Sequence, residues 1–396
     1  MVRLSARGLG VCTAGAGLLV TAALTGLRPL AWAGGALLGL MLAAAVLAAG
    51  SVRRPGLSRT LVPARVPAGS TARVDLELRR HGVGLGTWST LSDTTPPELI
   101  GAPVLVVPGG WGEVRSRHAY LVTSTLRGRY RIGPALWAGT DPLGLAETRR
   151  RLGTTTLLSV TPAIHPLGVP AAVANTGFTG DTAQRHSGLL GADDALIREY
   201  RPRDELRRVH WPSTARAGTL MVRREEHAQE PSALILLDNR AGAHTGTGTA
   251  SSFEWAVSAA ASIGMHLLAA GFSVDLIDAD GSALPAYSDS VTDALLDALT
   301  DVSLSEATDL SRALAGAAGQ PRMLIAVLGR LSAEDATALT EPRRDGRLCR
   351  AIVQHPAGDG DDPADILRAN RWRVVTDAGR LSVGQAWTRL ESGPAA

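Results

Sequence analysis

The sequence predicts an α/β domain with a mainly parallel, Rossmann-like sheet, preceded by a small all-β sandwich and an N-terminal two-helix membrane hairpin. Three observations carry this expectation. Two long uncharged apolar runs open the chain, short alternating strands follow, and continuous apolar strands then alternate with helices.

Gly8 to Leu27 carries no charge over 20 positions, and Pro29 to Val52 none over 24. At ~1.5 Å per residue, each run can cross a hydrocarbon core of ~30 Å. Only Leu27-Arg28-Pro29 divides them, so residues 1–52 read as a tight hairpin whose small residues allow close helix packing. Ala31-Trp-Ala33 resembles a signal-peptide cleavage site, but the first run is long for such a segment and a second follows at once. Arg3 and Arg7 flank the first run, Arg53, Arg54 and Arg59 follow the second, and the loop holds only Arg28. The positive-inside tendency places the N-terminus and residues 53–396 in the cytoplasm, anchored to the plasma membrane and in contact with its lipid.

Residues 58–165 read as all-β. In Arg73-Val-Asp-Leu-Glu-Leu-Arg79 the apolar residues alternate with charges, the period of a half-buried strand. Arg117–Thr123 and Thr156–Val160 are further strands, with turn signals at Pro67-Ala-Gly69, Pro108-Gly-Gly110 and Asp141-Pro-Leu-Gly144. A small sandwich packs such strands. Residues 166–232 are a linker that ends in an arginine-rich segment. From Ala233 to the end the pattern is strand and helix in turn. Strands are expected at Ala233–Leu237, Ser273–Asp278, Arg322–Leu328, Cys349–Gln354 and Trp372–Val375. Helices are expected at Phe253–Ala270, Val291–Leu299, from Ser332, at Ala364–Asn370 and at Val383–Leu390. Continuous apolar strands between helices imply a parallel sheet covered on both faces.

Composition narrows the function. The chain has no lysine, so its 40 basic residues are all arginine, and they nearly balance 37 acids. No basic stripe with interleaved aromatics appears, which argues against a nucleic-acid partner. Cys12 and Cys349 form no CxxC pair and fit a reducing compartment.

The densest chemistry lies in Arg198–Glu226, where eight arginines and five carboxylates fall within 29 residues. Its signature positions are Arg198, Glu199, Tyr200, Arg201, Asp204, Arg207, Arg208, His210, Trp211, Arg216, Arg223 and Glu225. Their charges can satisfy one another, with Arg216 and Arg223 pairing to Glu199, Asp204 or Glu225 and with Trp211 and Tyr200 as apolar anchors. The outer face offers forked guanidinium groups to a partner's carboxylates.

This segment, together with Thr125–Pro134 and Asp141-Pro-Leu-Gly144, resembles the bacterial membrane family called domain of unknown function 58. The resemblance covers nearly the whole chain. It departs at Arg203-Asp204-Glu205, where the family carries Gly-Asp-Asp, and at Pro212, where a basic residue is common. It implies that the α/β domain is von Willebrand factor A-like. It also implies two partners, a MoxR-type AAA+ ATPase and a transglutaminase-like membrane protein.

Von Willebrand A domains often hold Mg²⁺ through Asp-x-Ser-x-Ser, a distant Thr and a distant Asp. Here the first strand ends in Asp238-Asn-Arg240-Ala-Gly242, Thr308 stands for the threonine, and Gly329-Arg330 follows the third strand without an acid. A divalent ion and a guanidinium about 5 Å apart repel by roughly 7 kcal/mol at an effective dielectric of 20. The sequence therefore predicts a degenerate site without metal or other cofactor, in which Arg240 or Arg330 pairs with Asp238.

No GxSxG elbow, HExxH or Walker A loop is present. His210 with Asp204 or Glu205, or Glu225 with Glu226, are the best acid–base candidates, and pairing with nearby arginines is the stronger reading of those residues. The sequence thus points to a non-enzymatic, membrane-anchored adaptor that works with a MoxR-type ATPase in envelope-related assembly. Its binding face is expected near Asp238, Arg240, Thr308 and Arg330. The alternatives are a cell-wall hydrolase using the His210 region and a metal-dependent adhesion module facing outward. A cytoplasmic bulk predicts that a fluorescent protein fused to the C-terminus glows and that alkaline phosphatase at the same point is inactive. The reverse pattern would mark the outward-facing module.

Overall fold

The computed structural model describes residues 2–50, 53–83, 88–101, 104–108, 111–168, 196–199, 211–224, 231–282, 290–316, 323–341, 347–355, 362–376 and 378–392. In chain order the elements begin with β1 (Val2–Leu4), α1 (Ala6–Thr25), α2 (Arg28–Gly50), β2 (Arg53–Val62), β3 (Arg65–Pro67), β4 (Thr71–Val83) and β5 (Trp88–Asp93). Next come β6 (Val104–Pro108), β7 (Trp111–Thr123), β8 (Gly128–Ile132), β9 (Ala135–Thr140), β10 (Ala146–Leu152) and β11 (Thr156–Thr161). Then follow β12 (Leu196–Glu199), α3 (Trp211–Ala217), β13 (Met221–Arg224), β14 (Ser232–Leu237), α4 (Ser252–Ala269) and β15 (Ser273–Asp278). The chain continues with α5 (Val291–Asp301), α6 (Ser311–Gly316), β16 (Met323–Arg330) and α7 (Ala333–Leu339). It closes with β17 (Leu348–His355), α8 (Pro363–Ala369), β18 (Arg373–Val375) and α9 (Val383–Ser392).

The chain divides into two compact units. The first holds Met1–Ile164 with Gly248–Ala250 and Ala286–Val302, and the second holds the rest.

In the first unit, three sheets surround one core: β1-β10-β9-β5-β6, β2-β4-β7 and β3-β11-β8. The alternation read in β4 is the reason it sits where it does, because Val74, Leu76 and Leu78 enter the core while Arg73, Asp75 and Glu77 face outward. One buried cluster joins a strand from each sheet. Arg59 of β2 pairs through both its Nε and Nη2 with Asp93 of β5, the Nε bond being 2.9 Å. Its Nη1 donates to the Ile132 carbonyl of β8, and the Tyr120 hydroxyl of β7 donates to Asp93 at 2.6 Å. The side chains of Arg59 and Asp93 are 2% and 0% exposed. Burial, and the carboxylate it faces, push the Tyr120 phenol well above its ordinary range.

The sequence reading assigned the helix over Val291–Leu299 to the α/β domain, but α5 belongs to the first unit. Its aspartates explain this. Asp293, Asp297 and Asp301 recur every fourth residue and therefore share one face. Arg65 pairs with Asp293 and with Asp297 at 2.6 Å, and Arg129 pairs with Asp301 at 2.7 Å. Behind them, Ala294, Leu295, Leu296 and Leu299 are buried.

In the second unit, β12 and β13 form an antiparallel pair, and a parallel sheet runs in the order β15-β14-β16-β17-β18. Both faces are covered, which is why the central strands carry continuous apolar runs, Ala233–Leu237 in β14 and Met323–Leu328 in β16. One face packs Leu234, Leu236, Leu324, Ala326 and Val353 against residues of α6, α7 and α8. The other faces α4, whose Ala256, Ala260 and Ile263 are fully buried. Arg350 and Glu391 form an ion pair of 2.6 Å between β17 and α9. Within residues 166–232, β12, α3 and β13 all lie in or at the edge of the arginine-rich segment.

Truncating Asp93 to Ala strands a buried guanidinium, so it is expected to cost about 3–5 kcal/mol. Tyr120→Phe removes one hydrogen bond to a charged group, about 1.5–3 kcal/mol. Denaturant unfolding of the full chain in detergent should rank the two in that order.

Candidate functional site

Strand order locates the site. The first strand of the parallel sheet, β14, lies between β15 and β16, so the chain reverses its winding between β14 and β16. Connections that leave adjacent strand ends toward opposite faces open a crevice there, where ligands of such sheets gather. Asp238 directly follows β14, and its N–H bonds the Val327 carbonyl at 2.9 Å, so it continues the strand into that crevice.

A guanidinium fills the crevice. Arg240 Nε donates to Asp238 Oδ1 at 2.8 Å, and Nη2 donates to Asp238 Oδ2 at 3.0 Å. Nη1 donates to Asp335 Oδ2 at 2.7 Å and to the Thr308 carbonyl at 3.3 Å. The remaining Nη2 hydrogen reaches the Arg330 carbonyl at 3.4 Å. All five guanidinium donors are therefore taken. The side chains of Arg240 and Asp238 are 5% and 0% exposed. Burial opposes the charge of Arg240, but hydrogen bonds and attraction from Asp238 and Asp335 outweigh it and raise its pKa above the ordinary arginine value. Asp238 also accepts from Gly329 N and Arg240 N, both at 3.2 Å.

Asp335 is the residue that sequence reasoning missed. The residues directly after β16 hold no acid, and the carboxylate comes instead from the first turn of α7. There Ser332 caps the helix by accepting from Asp335 N at 3.0 Å and donates its hydroxyl to Asp335 Oδ2 at 2.8 Å. Asp335 Oδ1 accepts from Leu310 N at 3.2 Å. Its only signal in the sequence was the Ser332-x-x-Asp335 spacing, which reads equally well as an ordinary helix start.

A shell of polar contacts holds the loops around this pair. Asn239 donates to the Ser303 carbonyl and accepts from Ala279 N, each at 3.0 Å. Ser305 exchanges backbone bonds with Asn239 and Ala241 at 2.7 and 2.8 Å. His244 Nε2 lies 2.6 Å from the Asp238 carbonyl, which can only accept, so that nitrogen carries the hydrogen. In the neutral ring Nδ1 then accepts from the Ser252 hydroxyl at 3.1 Å, and Ser252 Oγ accepts from Thr245 N at 2.9 Å. This pair closes the 244–252 loop over the end of β14. Asp278, at the end of β15, is buried and accepts from Ser282 N at 2.9 Å. Burial is the main cause of its raised pKa, and the neighbouring Asp280 adds to it.

Of the degenerate metal positions, Asp238 and Arg240 are joined directly. Thr308 and Arg330 reach Arg240 through main-chain carbonyls, while their side chains, with Gly242, are exposed. The expected binding face is therefore a rim of Thr308, Arg330 and Gly242 above a buried pair. Among the signature residues, Arg198 and Glu199 lie in β12 and Arg223 in β13, where Ile197 is the backbone partner of Arg223. Tyr200, Arg201, Asp204, Arg207, Arg208, His210 and Glu225 lie outside the described residues, as do the side chains of Arg198, Glu199 and Arg223. Arg216 is exposed in the last turn of α3. Trp211 was expected to be an apolar anchor, but it is 68% exposed at the start of this seven-residue helix. So short a helix presents little apolar surface to cover an indole.

Fold and site together define a doubly wound parallel-sheet module with an arginine held at its switch point. Residues 196–328, from β12 into β16, match the family described as "Protein of unknown function DUF58". No curated protein matches the chain. Among solved structures, it is similar to the CARDB domain of a Pyrococcus furiosus protein crystallised with di-metal ions. That likeness has 16% identity and a TM-score of 0.20, over 28% of this chain and 94% of that one. A cohesin module from a Clostridium perfringens family 33 glycoside hydrolase has 11% identity and a TM-score of 0.19, over 28% and 97%. A non-cellulosomal cohesin from Archaeoglobus fulgidus has 12% identity and a TM-score of 0.17, over 26% and 93%. None of these likenesses carries an argument about function.

Arg240→Ala would leave Asp238 and Asp335 buried without their cation, an expected loss of about 3–5 kcal/mol. Arg240→Lys should restore little of it, since an ammonium lacks the planar fork that serves both carboxylates. Millimolar Mg²⁺ should raise the melting temperature of Arg240→Ala and leave that of the unsubstituted chain unmoved. Stabilisation of the unsubstituted chain would overturn the assignment of the crevice to arginine.

Proposed function

We propose that the second unit is a von Willebrand factor A-like module in which a guanidinium stands where relatives of that fold hold a divalent ion. We further propose that the whole chain is a membrane-anchored, cytoplasmic adaptor without enzymatic activity, working with a MoxR-type AAA+ ATPase in envelope-related assembly. The observation that supports this is the complete occupation of Arg240. With both oxygens of Asp238 and one of Asp335 bonded to a cation, the donor set does not fit Mg²⁺, which needs oxygen ligands at ~2.1 Å. A metal-bridged grip on a partner's carboxylate is then closed to this site. What remains for recognition is the exposed rim of Thr308, Asp309 and Arg330, which offers charge and main-chain polarity to a protein surface.

The MoxR partnership and the transglutaminase-like membrane protein rest on the family resemblance, and the adaptor role rests on both lines. The test is co-purification of the full chain from native membranes, with AAA+ ATPase identified by mass spectrometry. The unsubstituted chain is expected to retain the ATPase. Arg330→Glu should keep its melting temperature and lose about tenfold in retention, as a reversed interface charge worth ~1.4 kcal/mol does. If the unsubstituted chain retains no AAA+ ATPase, the adaptor reading fails.

A further inference from the structure

We infer that the turn from Asp141 to Ala146, in the first unit, is a wedge that enters the lipid bilayer beside the hairpin, with Leu143 at its tip. The inference rests on the reading of α1 and α2 as membrane-spanning.

The turn is fastened to the first two turns of α1. Ser5 donates its N–H to the Leu145 carbonyl at 2.9 Å and its hydroxyl to the Gly144 carbonyl at 2.6 Å. Gly8 lies so close to Leu145 that a Cβ there would collide with the Leu145 carbonyl. Leu145 and Ala146 bury Met41, Ala44 and Ala48 of α2, with Val11 and Cys12 of α1 packed against the same cluster. Direct contact of the turn with α1 thus reaches Gly8, two residues past Ala6 and about 3 Å along its axis.

Length makes this contact consequential. α1 has 20 residues and is therefore ~30 Å long, the thickness of the hydrocarbon core. It has no turn to spare above the bilayer, and tilt only tightens the fit. Whatever packs on Gly8 therefore lies at the interface.

The turn is built for such a place. No charge falls between Asp141 and Glu147. Asp141 is buried, and its carboxylate accepts from Leu143 N at 2.9 Å and Ala146 N at 2.6 Å. Gly144 N bonds the Asp141 carbonyl, Asp141 N bonds the Ala146 carbonyl, and Ser5 takes the carbonyls of Gly144 and Leu145. Backbone groups paired in this way are the kind that lipid tolerates. Leu143, 54% exposed, and Leu4, 47% exposed, are left as bare apolar side chains. Exposed arginines lie on the same segments, Arg3 and Arg7 beside Leu4 in sequence and Arg150 and Arg151 farther along β10, suited to anionic headgroups.

The test places an environment-sensitive fluorescent amino acid at Leu143 by codon suppression. Separate proteins carry it at Ala16 in mid-α1 and at Leu157 of β11. Each full chain is reconstituted into phosphatidylcholine–phosphatidylglycerol vesicles containing lipids with a quencher near the headgroup or near the chain end. Position 143 should be quenched about as far as position 16, more by the shallow quencher than the deep one, with position 157 bright. Quenching at 16 with none at 143 would overturn the wedge and leave the hairpin standing. Absence of quenching at both would overturn the spanning reading and the wedge with it.

Discussion

One guanidinium between two buried carboxylates holds the carboxyl end of the parallel sheet together. Arg240 ties the end of β14 to the first turn of α7, and its last two hydrogens tie in the carbonyls of Thr308 and Arg330. Four separate segments are thereby fixed around one planar group. A net charge of one minus remains among the three side chains, softened by N–H donors from Gly329, Arg240 and Leu310. In place of Arg240 a divalent ion would bridge the same carboxylates, but its occupancy would vary with ion supply and it would leave a coordination position for a ligand. A side chain is always present and leaves none.

The first unit uses the same chemistry for a different end. Arg59 and Asp93 are as buried as the Arg240 pair, and they join three sheets rather than the loops of one. In a chain without lysine the planar fork is the only long cation available, and it suits buried pairing because each bond comes with a fixed geometry. Exposed arginines in α5's ion pairs show the other regime, where Arg129 and Asp301 remain open to solvent and to screening by salt.

Much of this was legible in the residues. β15 falls on its expected span and β14 begins one residue early, because continuous apolar runs bounded by turns have few other readings. The helix start at Ser332 follows from local chemistry alone, and Ser332 caps α7. The pairing of Asp238 with an arginine could be framed from Asp-x-Arg spacing, but the second carboxylate could not. Asp335 lies 95 residues from Arg240, and only the sheet order brings them together. The placement of α5 failed for the same reason, since its aspartates look like any solvated helix face until Arg65 and Arg129 stand opposite. Trp211 shows the converse error, in which an aromatic was credited with a burial that its short helix does not provide.

The edge strand β1 precedes the hairpin, while its partner β10 follows it, with Leu4 opposite Ala146. The five-stranded sheet therefore closes only when the chain, having run out along both apolar helices, returns to where it left. Correct topology and completion of this sheet are then one event. A chain whose helices failed to return would leave β10 with an open edge, a row of unpaired backbone that invites pairing with another molecule.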